Sequence, residues 1–165
     1  MKMSTTVFTI GHSRHNAAHF LSLLRTHGVE QLVDVRSLPR SKWAPQFDAA
    51  DLSQLLVTHG VQYASLGRQL GGRPASREFY LSDGSVDYAL RSKAADFVDG
   101  ISQLAAIAQQ RRTVILCAEE DPLYCHRRRL VAPALAARAL TVVHVRGDGR
   151  VEAETLPAPA QLGLF

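Results

Sequence analysis

Apolar residues recur along this chain in short, nearly continuous runs separated by longer amphipathic stretches, the alternation expected of βα units. Residues 7–10 read as a first strand, and Asn16 caps a helix reaching Thr26 with Phe20, Leu23 and Leu24 on one face. Gly28 stands where that helix needs a left-handed residue to end. Leu32-Val33-Asp34-Val35 has the near-unbroken apolar character of a strand covered on both faces. A second helix over 51–58 turns Leu52, Leu55 and Leu56 inward and stops at Gly60, ahead of a third strand over 61–66. The pair Thr26-His27-Gly28-Val29 and Thr58-His59-Gly60-Val61 is one stop signal used twice, with each histidine at a helix C-terminus and no chemistry assigned to either. Residues 67–92, rich in Gly, Arg, Ser and Asp, break the pattern and read as a long surface loop with a helical turn. A longer helix over 94–110 presents Phe97, Ile101, Leu104 and Ile107, and a fourth strand covers 113–118. The next helix starts near Cys125 and carries Pro133, which must kink or break it. A fifth strand covers 141–145, and Asp148-Gly149 turns the chain back toward Val151-Glu152-Ala153. The expected fold is α/β with three layers: a mostly parallel, Rossmann-like sheet of about five strands with helices on both faces.

Composition adjusts this picture only slightly. The 165 residues suffice for one core without disulfides or metal, so residues 1–155 are expected to form a single domain and 156–165 a flexible tail. The longest apolar runs, such as Val114-Ile115-Leu116, are too short to span a membrane, and residues 1–10 do not have the form of a signal peptide. Two cysteines without an export signal point to a reducing cytoplasm and free thiols. The net charge of +4 suits an anionic partner. Arginine heavily outnumbers lysine and alanine is abundant, in the manner of a GC-rich genome, so the charge by itself decides little.

The chemistry is expected at the carboxyl ends of the strands, where open α/β sheets bind ligands. After the first strand come Gly11, His12 and Ser13; after the second, Arg36, Ser37, Pro39, Arg40, Ser41, Lys42 and Trp43. The third is followed by Gly67, Arg68, Gly71, Gly72 and Arg73, and the fourth by Cys117, Glu119, Glu120, Asp121, Cys125, His126 and Arg127. Four strand ends thus bring cationic and titratable groups to one rim. Ser13, Arg36, Arg40, Ser41, Arg73 and Arg127 are the expected substrate or phosphate ligands, helped by helix N-termini. Glu119 is the expected general acid or base, with His12 and His126 orienting or shuttling a proton; the competing role for Glu119 is a salt bridge to Arg36 or Arg127. Asp34 is expected to bond loop amides or an arginine. Cys125, beside His126 and three arginines, should have a depressed pKa and is a candidate nucleophile; since neither cysteine begins a Cys-x5-Arg phosphate loop, the competing reading is a packed or capping thiol. No cofactor is expected. Zinc at Cys117, Cys125 and His126, with His12, is the minor alternative, since no Cys-x2-Cys or His-x3-His spacing supports it. Trp43 either stacks on a base or packs as a lid.

Two resemblances extend these readings. Thr9-Ile10-Gly11-His12-Ser13, Val33-Asp34-Val35-Arg36 with Pro39 and Ser41, Leu70-Gly71-Gly72, Cys117-Ala118-Glu119 and Cys125-His126-Arg127 resemble the domain-of-unknown-function 488 family, in order, from about residue 7 to about 145. That family is α/β and its activity is not established, so the resemblance implies a shared site without naming a reaction. At the other end, Gln161, Leu162, Leu164 and Phe165 follow a spacer with prolines at 157 and 159, and resemble the peptide by which bacterial replication and repair proteins dock on the DNA polymerase sliding clamp. Gly163 departs from the usual Ser or Asp, and the competing reading is a tail that folds back on its own domain. Together these predict an enzyme acting on DNA or a nucleotide, hydrolysing a phosphoester or N-glycosidic bond, brought to replication or repair sites by its tail. The alternatives are a non-catalytic DNA- or nucleotide-binding adaptor and, more weakly, a thiol enzyme using Cys125.

Overall fold

The structure, a computed structural model, describes residues 5–154. Its frame is a six-stranded sheet. The strands are β1 (Thr6–Gly11), β2 (Gln31–Asp34), β3 (Gln62–Ser65), β4 (Thr113–Cys117), β5 (Thr141–Val145) and β6 (Val151–Ala153). They lie in the order β3-β2-β4-β1-β5-β6, parallel throughout except for the antiparallel β5–β6 pair. The sixth strand is the return of the Asp148-Gly149 turn, with Gly149 at a φ of +92°. The three-layer α/β expectation therefore holds.

The principal helices are α1 (Ala17–Thr26), α2 (Ala49–Thr58), α3 (Gly67–Leu70), α4 (Tyr88–Arg91), α5 (Ala95–Gln110) and α6 (Ala132–Ala136). Asn16 caps α1 through its side-chain oxygen, which accepts the His19 amide at 2.8 Å. Strand alternation divides the interior in two. Phe8, Ile10, Val114 and Leu116 point to the face packed by Phe20, Leu24, Leu52 and Leu56 of α1 and α2. Val7, Ile115 and Val142 point to the opposite face, packed by Phe97, Ile101 and Leu104 of α5 and by Leu135 of α6.

Two segments depart from expectation. Residues 67–92 hold α3, a 3-10 turn at Arg77–Phe79 and α4, all short and set by what they pack against. The helix expected from Cys125 is instead a 3-10 turn at Pro122–Tyr124, a π turn at Arg127–Val131 and then α6. Pro133 accounts for the break, because it has no N–H to continue an α-helical ladder into the preceding turn. The tail peptide Gln161, Leu162, Leu164 and Phe165 lies outside the described residues. Among the described residues no helix is long and apolar enough to cross a membrane.

Candidate functional site

Neighbouring strands β1 and β4 send their chains to opposite faces: β1 leads into α1, whereas β4 leads through Cys125 and the π turn to α6. Such a divergence opens a crevice at the strands' carboxyl ends. The parallel ladder continues past both strands, His12 donating its amide to the Cys117 carbonyl at 3.0 Å and Ser13 to the Ala118 carbonyl at 2.9 Å. The two loops touch so closely that a Cβ on Gly11 would lie 1.6 Å from the Glu119 carbonyl oxygen, so only glycine fits.

A cavity of about 420 Å³ occupies this crevice. His12, Arg36, Cys117, Glu119, Cys125 and His126 line it, and Arg40, Ser41 and Arg73 close its outer side. A larger hollow of about 700 Å³ lies alongside, sharing Ser37 and Arg73. Its charged pair, Arg91 and Asp96, is already engaged at 2.7 Å, so the reactive groups belong to the smaller cavity.

Arg36 is held rigidly. Its Nε and one terminal nitrogen donate to the two Asp34 oxygens at 2.9 and 2.7 Å, and its amide donates to Asp34 as well. Tyr63 donates to the same carboxylate at 2.7 Å; burial first, and this bond second, push the phenol well above its ordinary range. The remaining guanidinium nitrogen of Arg36 is buried without a partner. His12, 2 % exposed, donates from Nδ1 to the Ser13 carbonyl at 2.8 Å and stacks on Phe47 with ring centroids 4.8 Å apart. Burial lowers its pKa, so the ring is neutral at pH 7 and its unpartnered Nε2 carries a lone pair.

At the base of the cavity His126 donates from Nε2 to the Val35 carbonyl at 3.1 Å. Its Nδ1 therefore presents a lone pair, 3.6 Å from each of the Cys117 and Cys125 sulfurs. Cys117 donates to the Glu119 carboxylate at 3.2 Å. Arg127 donates to the Cys125 sulfur from its amide at 3.5 Å and its Nε at 3.3 Å. The two thiols are driven apart in acidity: pairing with Cys117, then His126 and Arg127, lower Cys125 far below its ordinary value, while Cys117 is raised. Gly72 completes the base, since a Cβ there would come within 2.9 Å of the His126 ring.

Residues 16–133 match the domain of unknown function DUF488. The chain belongs to the DUF488 family. No curated protein matches it. The DUF488 match takes in Asp34, Arg36, Glu119, Cys125, His126 and Arg127, and leaves the Gly11-His12-Ser13 rim ahead of its first matched residue.

Within this DUF488 site most residues singled out from the sequence converge, but two stand elsewhere. Ser13, at a φ of +46°, does not line the cavity. Arg127 is fully buried, with its remaining nitrogens donating to the Thr9 hydroxyl at 3.1 Å and to the Glu119 and Glu120 carbonyls. It organises the site and has no nitrogen directed to a ligand. The expected Glu119 salt bridge to Arg36 or Arg127 is absent among the described residues, because Arg36 is engaged by Asp34 and Arg127 takes the Glu119 carbonyl. Trp43 is 76 % exposed with the Arg14 guanidinium 5.3 Å over its ring, so it is no packed lid.

Sequence reasoning missed a buried polar chain behind the site. Arg127 donates to Thr9, Thr9 to His144 Nδ1 at 2.6 Å, and His144 Nε2 to Glu154 at 2.5 Å. Only the position of Thr9 and His144 on strands, facing the side opposite Phe8 and Val145, signals it.

Proposed function

We propose that this protein is a hydrolase of nucleotides or nucleic acid that grips phosphate in the β1–β4 crevice and cleaves a phosphoester or N-glycosidic bond. The observation that carries this reading is the buried, partnerless nitrogen of Arg36, fixed by Asp34 in a cavity where Arg40 and Arg73 add further positive charge. A buried N–H without an acceptor is costly, and an anionic oxygen supplies the acceptor. Within the same cavity Glu119 has a carboxylate to deprotonate an attacking water, and neutral His12 has a lone pair to accept or relay a proton.

The test pairs binding with turnover on nucleoside phosphates and short single-stranded DNA. Changing Arg40 and Arg73 together to alanine should weaken binding by about a hundredfold or more, since each charged bond contributes about 1.5–3 kcal/mol. Glu119→Gln should lower turnover by about a hundredfold or more while leaving affinity nearly intact. Release of inorganic phosphate or of free base identifies the bond. Binding without turnover in the wild type would leave the adaptor reading instead, and no binding at all would overturn both.

The tail peptide at Gln161, Leu162, Leu164 and Phe165 supports recruitment to a bacterial sliding clamp. Full-length protein should bind a clamp at micromolar affinity, about 8 kcal/mol, and a chain ending at Ala160 should not. Equal binding by the two would remove the replication context.

A further inference from the structure

We infer that Cys117, Cys125 and His126 form a zinc site whose fourth position opens to the crevice, a deepening that rests on the hydrolase reading for what the ion does but not for whether it binds. The three ligand atoms lie within 4.8 Å of one another. More tellingly, His126 Nδ1 is 3.6 Å from both sulfurs. Zinc–sulfur and zinc–nitrogen bonds of about 2.3 and 2.05 Å at a tetrahedral angle place sulfur and nitrogen about 3.6 Å apart. Both sulfur–nitrogen separations match a tetrahedral edge.

The surroundings of the three residues are those of a metal site. His126 gives its Nε2 proton to the Val35 carbonyl, which fixes the tautomer with Nδ1 free and aimed between the sulfurs. Arg127 directs two N–H groups at the Cys125 sulfur, the arrangement that holds a thiolate. Two thiolates balance the charge of a divalent ion, and two sulfurs with one imidazole select zinc over magnesium or calcium. All three residues are buried, yet each lines the cavity, so the coordination is completed from the ligand side. Three protein ligands with one open position is the pattern of catalytic zinc rather than of structural zinc.

Glu119 gains a second duty in this arrangement. Its carboxylate accepts from the Cys117 thiol at 3.2 Å, so it stands ready to receive the proton that the thiol loses when the ion enters. Cys117, Cys125 and His126 would hold the ion, which would supply Lewis-acid activation of a water in the cavity. Once Glu119 had passed the thiol proton to solvent, its carboxylate could take the proton from that water and return it to the leaving group as the phosphoester or N-glycosidic bond breaks. No oxidant or reductant is needed.

The experiment uses the full chain purified under reducing conditions without chelator. Atomic emission should give one zinc per chain. Stripping with chelator should lower the Tm, and zinc should restore it. Cobalt added to the stripped protein should give a sulfur-to-cobalt charge-transfer band that saturates at one equivalent and is lost in Cys125→Ser. Because a change at buried Cys125 can unfold the chain, the cobalt titration of the wild type stands by itself. Substoichiometric zinc with no charge-transfer band in folded protein overturns the site, and a Cys117–Cys125 disulfide in place of metal does so equally. Phosphate binding without zinc sinks the metal site alone, and zinc without phosphate binding sinks the hydrolase reading alone.

Discussion

On the sheet face covered by α1 and α2, the central strands offer hydrocarbon: Phe8, Ile10, Val114 and Leu116 meet Phe20, Leu24, Leu52 and Leu56. On the face covered by α5 and α6 these strands and the neighbouring β5 offer Thr9, Cys117 and His144 beside Val7, Ile115 and Val142, and a fully buried arginine lies with them. The first face is held by water-hating surface, which is indifferent to fine orientation. The second carries, beside its own apolar cluster, a directional network, where made hydrogen bonds contribute little net and unmade ones cost a great deal. The hydrogen-bond chain through Arg127 thus lies on one face, whereas the Asp34–Arg36 pair and the His12 ring on Phe47 stand toward the other, and mutations in plain hydrocarbon and in the Arg127 chain should separate stability from site geometry.

The largest effect is expected on the apolar side. Leu24→Ala should cost about 2–5 kcal/mol in urea unfolding, with unchanged ligand affinity in the protein that remains folded. On the polar side Arg127→Leu should cost somewhat less, about 2–3 kcal/mol, as the Thr9 hydroxyl, the Cys125 sulfur and two carbonyls lose their donor. That variant should also lose cavity ligand binding. If both variants affect stability and binding in parallel, the division between the faces is wrong.

The smallest effect is a pH dependence to which the polar side contributes through His144. His144 has a lowered pKa, chiefly through burial, with Glu154 opposing and Arg127 and Arg128 assisting. The unfolded chain accepts that proton at about pH 6.5 and the folded chain only at lower pH. Stability from this group is therefore full above about pH 6.5 and falls as the pH drops below it, at up to about 1.4 kcal/mol per unit. His144→Gln should flatten part of that slope. His12, His15 and His27 shift in the same direction and keep part of the slope. A slope unchanged by the substitution would show that His144 is not buried in its neutral form.

Most of the frame was legible because long apolar periods report burial directly. The strands at Leu32-Val33 and Val114-Ile115-Leu116 needed no tertiary information, nor did the Asn16 cap or the stop at Gly28, whose φ is +62°. The turns within 67–92 and the π turn after Cys125 were hidden, because their lengths are set by packing and by the missing N–H of Pro133. At the site, strand-end position was enough to gather His12, Arg36, Arg73, Glu119, Cys125 and His126 in one cavity. Sequence spacing argued against metal at Cys117 and Cys125. Spacing rules describe ligands on one local turn, whereas here a strand end and a returning loop bring the sulfurs together. The role of Arg127 was unreadable for a related reason: a charge in a basic run looks solvent-facing until its donors are followed inward.

The ladder bonds from His12 and Ser13 to the Cys117 and Ala118 carbonyls have a consequence for binding entropy. The rim of the crevice lost its conformational freedom when the sheet formed, and Gly11 leaves no slack between the two loops. An incoming anion therefore has no loop to freeze at this wall of the crevice, and less of its contact energy is given up to ordering. The binding rate should then be set by electrostatically guided encounter rather than by rearrangement of the rim.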